Sequence, residues 1–281
     1  MNAPQNAVAI MIPDGWPLVA VENVLDRFYL AGKKKKILES ANALQVNGNR
    51  AILGDIMKPR DVLTIMAGTF DKLDYAPWDG PLKVLYEDDW TYVLDKPAGI
   101  IIYPDAKTKS GTLANLAAKY LQDRGLDRSV RYLHRLDKGT TGCVLFATSF
   151  LAHSFLEHAF THRETKKEYL ALVEGHMGKK TGHIDMPIGK DRHRNNHFLV
   201  LPGGKPAVTD YEVIREYKDS SLLRVTIDTG RTHQIRVHFA HLGHPVLGDY
   251  EYGSMVRGLP RIMLHASGIS YPHPLTHETI T

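Results

Sequence analysis

The sequence predicts an α+β protein: a mixed, mostly antiparallel sheet flanked by helices, preceded by a smaller module. Three observations predict it. Strand-length apolar runs recur between turn residues, and two of them, 208–214 and 222–227, alternate as an antiparallel pair does. Segments with helical spacing lie between such runs, at 113–121, 150–161 and 233–242. A stretch bearing Gly, Pro and Asp, 67–80, divides the chain like a linker.

Residues 1–17 hold prolines, a glycine and no clear period, so a flexible leader is expected. No basic segment precedes an apolar core there, so no secretory signal is expected. A small module, 18–75, follows. Val21, Val24, Leu25, Phe28 and Tyr29 have helical spacing. Four consecutive lysines, Lys33, Lys34, Lys35 and Lys36, and a second short helix come next. Asn47-Gly48 after Val46 is a hairpin signal, because both residues tolerate positive φ. A strand at 61–65 closes the module.

The main domain, 76–281, opens with strands at 82–86 and 91–94. Lys96-Pro97-Ala98-Gly99 makes a turn, and a third strand is expected at 100–103. Thr112 can cap the helix over 113–121. The helix at 150–161 places Phe150, Leu151, Phe155, Leu156 and Phe160 on one face. A strand follows at 166–175. The Gly-, Arg- and His-rich stretch 189–206 reads as a loop. Gly230 ends the strand over 222–227, and Gly243 stops the last helix. A strand running to Tyr271 closes the domain.

Composition bounds the function. Hydrophobic content of 43% and charged content of 23% are those of a globular chain. One cysteine, Cys143, excludes an intrachain disulfide and a multi-cysteine zinc site, and fits a reducing, cytoplasmic setting. No apolar run reaches membrane-spanning length, so no membrane partner is expected. His158 and His162 have i, i+4 spacing, but no third ligand is indicated, so no metal is expected. The net charge of +4 is only mildly basic. An acidic partner would therefore need cations concentrated locally. The candidates are the four lysines, Lys166-Lys167, Lys179-Lys180, and Lys190 with Arg192 and Arg194. Any such run is more often a solvated face.

The chemistry concentrates at 130–147. Two short apolar runs flank a loop with His134, Arg135, Asp137, Lys138 and glycines. A carboxylate among cations on such a loop is not ordinary turn chemistry. The plainer reading is an Asx-type turn in which Asp137 bonds nearby amides.

His134-Arg135-Leu136-Asp137, followed by Thr141-Gly142 and an apolar strand, resembles the active-site signature of the RluA-type pseudouridine synthases. Gly230-Arg231-Thr232-His233-Gln234-Ile235-Arg236, continuing to Asp249 and Tyr252-Gly253, resembles a second signature of that family. Lys96-Pro97-Ala98-Gly99 resembles a third. Two long signatures in family order make coincidence a poor explanation. Leu25-Asp26-Arg27-Phe28, Val46-Asn47-Gly48 and Asp61-Val62-Leu63 resemble an S4-type RNA-binding domain. Arg60 departs from the small residue usual before that Asp.

The resemblance implies a pseudouridine synthase fold and a reaction: isomerising specific uridines of ribosomal or transfer RNA to pseudouridine. It implies RNA as the partner, a monomer, and neither cofactor nor metal. It also implies that relatives extend past the last strand. Asp137 takes the nucleophile's place and Arg236 that of its cationic partner. Tyr169 would stack on the base and help move the C5 proton, although most strand tyrosines are simply cross-strand aromatics. Leu264 would pack near the base. Arg135, His134, Lys96 and Arg231 would meet the substrate, and Lys33 to Lys36 the RNA. Two other functions stay open: a non-catalytic RNA-binding protein on a retained fold, and a histidine-metal hydrolase. An intact Asp137, Tyr169 and Arg236 set argues against the first.

Overall fold

The computed structural model describes residues 7–66, 68 and 70–281. The N-terminal unit contains β1 (Ala7–Met11), β2 (Val19–Ala20), α1 (Val21–Asp26), α2 (Gly32–Ser40), β3 (Leu44–Val46), β4 (Asn49–Arg50), β5 (Ile56–Met57) and β6 (Val62–Met66). Four strands make one sheet in the order β1-β6-β3-β4, and β2 pairs with β5. The β3–β4 turn carries Asn47 at φ 51° and Gly48 at φ 82°, as the hairpin signal predicts.

Residues 7–11 are not a flexible leader. β1 pairs antiparallel with β6, from Ala7↔Met66 to Met11↔Val62. Val8, Ile10 and Ile12 alternate into the core, a period-2 signal that the flanking prolines obscure. Residues 1–6 of the expected leader lie outside the described residues.

The four lysines lie on α2, and they do not act together. Successive helical residues are turned by about 100°, so four in a row cannot share one face. Lys33, Lys34 and Lys36 are exposed. Lys35 is 6% exposed and donates to Glu22 at 2.6 Å and Asp26 at 2.7 Å on α1. The expectation that Lys35 meets RNA is therefore corrected: its ammonium ties the two helices together.

The expected linker is a strap. Asp71 is fully buried and accepts from Arg131 Nε at 2.9 Å and NH2 at 2.7 Å.

The main domain runs β7 (Lys83–Glu87), β8 (Thr91–Lys96), α3 (Leu113–Asp123), β9 (Arg131–Tyr132), β10 (Thr141–Ala147), α4 (Phe150–Thr161) and β11 (Lys166–Glu174). It continues through β12 (Thr181–Asp185), β13 (Ile188–Lys190), β14 (Phe198–Val200), β15 (Val208–Glu216), β16 (Ser220–Ile227), α5 (Gln234–His241), β17 (Leu264–Pro272) and β18 (Thr279–Ile280). The large sheet has the order β12-β15-β16-β11-β17-β10-β8-β7, with β9 on β10 and β18 on β17. Its pairings are antiparallel except β10 with β17, so the expected mixed, mostly antiparallel α+β sheet is what forms.

β10 is buried on both faces, which is why its sequence is continuously apolar. Val144 and Phe146 pack with α3, while Leu145 and Ala147 pack with α4 and the N-terminal unit. Phe28 stacks on Trp90 with ring centres 5.2 Å apart, so the two units share one core.

Two expectations fail locally. Residues 100–103 are not a strand, because the Ile101 and Ile102 carbonyls accept from the Leu113 and Ala114 amides at 2.9 and 2.7 Å. Those amides are orphan donors of the α3 N-terminus. Residues 189–206 are not a plain loop, since β13 and β14 form a hairpin there. Its short apolar triplet, Phe198 to Val200, is hidden among charges. β12 escapes pattern reading because Ile184 is its one buried side chain.

Phe28→Ala would open the shared core. We expect a loss of about 3–5 kcal/mol on urea denaturation followed by circular dichroism. A change under about 1 kcal/mol would mean that the two units do not depend on this contact.

Candidate active site

A cleft of about 640 Å³ opens above the centre of the large sheet. Its walls come from the loop before β10, the C-terminal end of β16 and the start of α5. Register explains the convergence. Gly142 pairs with Ala266 on β17, and Ala266 pairs with Tyr169 on β11. Gly142 sits at φ 111°, and a Cβ there would lie 2.1 Å from the Ala266 carbonyl oxygen. Only glycine allows this approach.

Lys96 anchors the loop that carries Asp137. It is fully buried, and its ammonium donates to the carbonyls of Pro97 at 2.9 Å, Ile100 at 2.8 Å and Lys138 at 3.2 Å. Burial brings its pKa down to about 8, with the Asp137 charge opposing. The expectation that Lys96 touches substrate is corrected, because all three of its donors are committed to backbone.

Asp137 stands in the cleft with its side chain 19% exposed. Arg236 NH1 donates to its Oδ2 at 3.2 Å, and His233 Nε2 lies 3.9 Å from Oδ1. Arg236 is 4% exposed. Its Nε and NH2 grip Asp249 at 2.6 and 2.9 Å, and NH2 also donates to Glu251 at 2.7 Å. Burial works against the guanidinium's charge. The Asp249 bonds, the charges of Asp137 and Asp249, and the Glu251 bond outweigh it and raise its pKa.

Tyr169, 6% exposed, and Leu264, 4% exposed, line the same cleft. Burial, then the charges of Asp137 and Cys143, raise the Tyr169 pKa, so its hydroxyl keeps its proton at neutral pH. Arg135 is exposed beside Asp137 and donates to the Tyr103 hydroxyl at 3.3 Å. Arg231 lines the wall with its Nε held by the Pro206 carbonyl at 2.8 Å.

His134 has a structural duty. Its Nε2 accepts the Leu145 amide at 3.1 Å, its Nδ1 is sealed off, and its ring stacks on Phe160. It lines the cleft, but neither ring nitrogen is free for a substrate, which corrects its expected role.

The sequence reading missed Asp249, Glu251, His233 and Tyr252 as participants. Asp249 is 1% exposed, and a carboxylate that buried requires a cation. Their signal in the sequence is the continuation of the second signature through Asp249 and Tyr252. Among the described residues, no group of three or more His, Cys, Asp or Glu converges as metal ligands, and no helix is long and apolar enough to cross a membrane.

Burial, with Lys167 adding to it, depresses the His134 pKa to about 3. The unfolded chain titrates this group near 6.5. Between these values the unfolded state binds the extra proton, so stability falls as pH drops from about 6.5 to about 3. We expect His134→Gln, which keeps an acceptor without a titrating ring, to remove that part of the acid sensitivity. The check is denaturation at pH 7, 5 and 4. An unchanged slope would mean His134 is not buried neutral.

Comparison with known proteins agrees with this geometry. Residues 91–241 match the family model described as RNA pseudouridylate synthase. An uncharacterized RNA pseudouridine synthase of Bacillus subtilis is 39% identical over 243 residues, covering 86% of this chain and 80% of the relative. A ribosomal large subunit pseudouridine synthase D of Vibrio parahaemolyticus is 35% identical over 257 residues, covering 84% and 77%. The solved structure of human RNA pseudouridylate synthase domain containing 1 matches with a TM-score of 0.60 at 27% identity, covering 72% of this chain and 84% of that one. With a carboxylate, a buried arginine and a tyrosine converging in one cleft, and these matches over most of its length, the chain belongs to the RNA pseudouridine synthase family, a family of RNA isomerases.

Proposed function

We propose that this protein converts uridine to pseudouridine in large-subunit ribosomal RNA, with Asp137 as the essential carboxylate. The observation that carries this reading is the Asp137 carboxylate in a cleft of nucleoside size, 3.2 Å from the buried Arg236 guanidinium and beside Tyr169. The choice of RNA follows relatives named for that substrate.

The reaction breaks N1–C1′, turns the uracil and joins C5 to C1′. A proton leaves C5 and N1 gains one, so atoms and electrons balance without a redox partner. A carboxylate at this place can attack the sugar, attack the base or take a ribose proton. Each route needs the carboxylate held in place, and Arg236 NH1 donates to its Oδ2 at 3.2 Å. Tyr169 and Leu264 offer the base a flat, apolar seat. A stacked uridine must first be flipped out, at a cost of a few kcal/mol. Arg135, exposed beside Asp137, suits a phosphate or the gap left in the RNA.

C5-tritiated ribosomal RNA tests the proposal. The parent should release tritium, and Asp137→Asn should slow release by about 10⁴-fold or more while binding RNA. Appreciable turnover by Asp137→Asn would end the carboxylate assignment.

We further propose that the N-terminal unit adds affinity through Lys33, Lys34 and Lys36, as an S4-like domain would. Replacing all three with Ala should weaken RNA binding and reduce the log–log salt slope by about 2 to 3. Turnover of saturating RNA should hold. An unchanged salt slope would remove these lysines from the interface.

A further inference from the structure

We propose that His233 is a positioning residue for the catalytic carboxylate, presenting its Nε2–H to Asp137 in the tautomer that Tyr252 fixes. The inference rests on the reading of Asp137 given above. The two oxygens of Asp137 face different groups. Arg236 holds Oδ2 at 3.2 Å, and His233 Nε2 stands 3.9 Å from Oδ1.

The far side of the imidazole sets its proton. His233 Nδ1 lies 2.8 Å from the Tyr252 hydroxyl, and that hydroxyl accepts the Phe198 amide at 3.1 Å. A phenol has one proton to give. Donating it to Nδ1 satisfies both groups and leaves the ring hydrogen on Nε2, toward the carboxylate. The other tautomer would strand the phenol proton and aim a lone pair at an anion.

Tyr252 is itself held. The Arg236 guanidinium carbon lies 4.7 Å from its ring centre, and His197 stacks at 4.6 Å on the ring. Asp137, Arg236, Tyr252 and His233 thus close a cycle of contacts. The charged groups that act on His233 are Asp137, Arg236, Glu251 and Asp249. Burial leads in lowering its pKa, which keeps the ring neutral near pH 7 and makes its tautomer matter.

His233 sits at φ 57° at the N-cap of α5, yet its side chain makes no cap bond to the helix. A left-handed residue that is not glycine, with its side chain committed to the cleft, is the kind of outlier found at working sites. The 3.9 Å separation exceeds a hydrogen bond. Catalytic hydrogen bonds that are long before substrate binds often tighten when it fills the site, and under this proposal the contact closes by about an ångström.

The test combines kinetics with a spectroscopic signature. His233→Phe keeps a ring and removes the donor. Single-turnover release of tritium should fall about 10- to 100-fold, while RNA affinity stays near the parent's. His233→Gln can place an amide N–H near the Nε2 position and should recover most of the loss. ¹⁵N NMR of imidazole-labelled protein should show the Nε2–H tautomer in the parent and a mixture in Tyr252→Phe. A parent-like rate in His233→Phe, a folded His233→Gln as slow as His233→Phe, or an Nδ1–H signature would each overturn the proposal. Should His233→Phe fail to fold, the parent's tautomer decides. Activity in Asp137→Asn would instead overturn the carboxylate reading, whatever His233 does.

Discussion

The site depends on one buried cation. Arg236 is 4% exposed, and its guanidinium touches Asp249, Glu251 and Asp137. A guanidinium at that depth without partners would be prohibitive, and breaking a buried pair typically costs about 3–5 kcal/mol. Three segments far apart in sequence are thereby fixed: α5, the turn at 249–251 and the loop of Asp137. The bonds are unequal in a useful way. Asp249 takes the two-pronged grip, which fixes the plane of the guanidinium. Asp137 receives one donor on one oxygen. The carboxylate is oriented without being locked, with Oδ1 turned toward His233 at 3.9 Å.

The backbone around this cation is prepared independently. Lys96 binds three carbonyls and joins the turn after β8 to the loop of Asp137. Gly142 lets β10 lie against β17 at the single parallel junction seen among the described residues. Tyr169 is then placed opposite Ala266 one strand further on, directly after a register shift between Glu168 and Tyr169. Asp137 and Tyr169 thus stand on a clamped loop and a strand, which is where positional precision is cheapest to maintain.

Most of this was legible where local pattern and tertiary burial agree. α4 and β11 fall where helical spacing and apolar alternation place them. Asp137, Tyr169, Arg236 and Leu264 come together in one cleft, as the resemblance implies. The failures share a cause: the deciding partner was distant in sequence. β1 is a strand because β6, some fifty residues on, pairs with it. Residues 100–103 look like a strand, yet their carbonyls serve a helix start. Lys35 is expected to meet RNA and Lys96 the substrate, yet both are buried, Lys35 held by acids and Lys96 by carbonyls. Asp249 was visible as a residue but not as a partner, since the bond spans thirteen positions across a loop.

Charge distribution closes the argument. A net charge of +4 is too small to explain attraction of a polyanion by the chain as a whole. The structure separates the charges instead. Asp249 lies deep, and Asp137, Asp249 and Glu251 share Arg236, which offsets part of their negative charge. The cleft wall carries Arg135, Arg163, Lys167 and Arg231. A cleft with low-dielectric walls focuses such a field, and a polyanion's phosphates are favoured at its mouth. The buried cation serves both ends: it offsets part of the charge of the three acids around it, and it orients the carboxylate proposed to react.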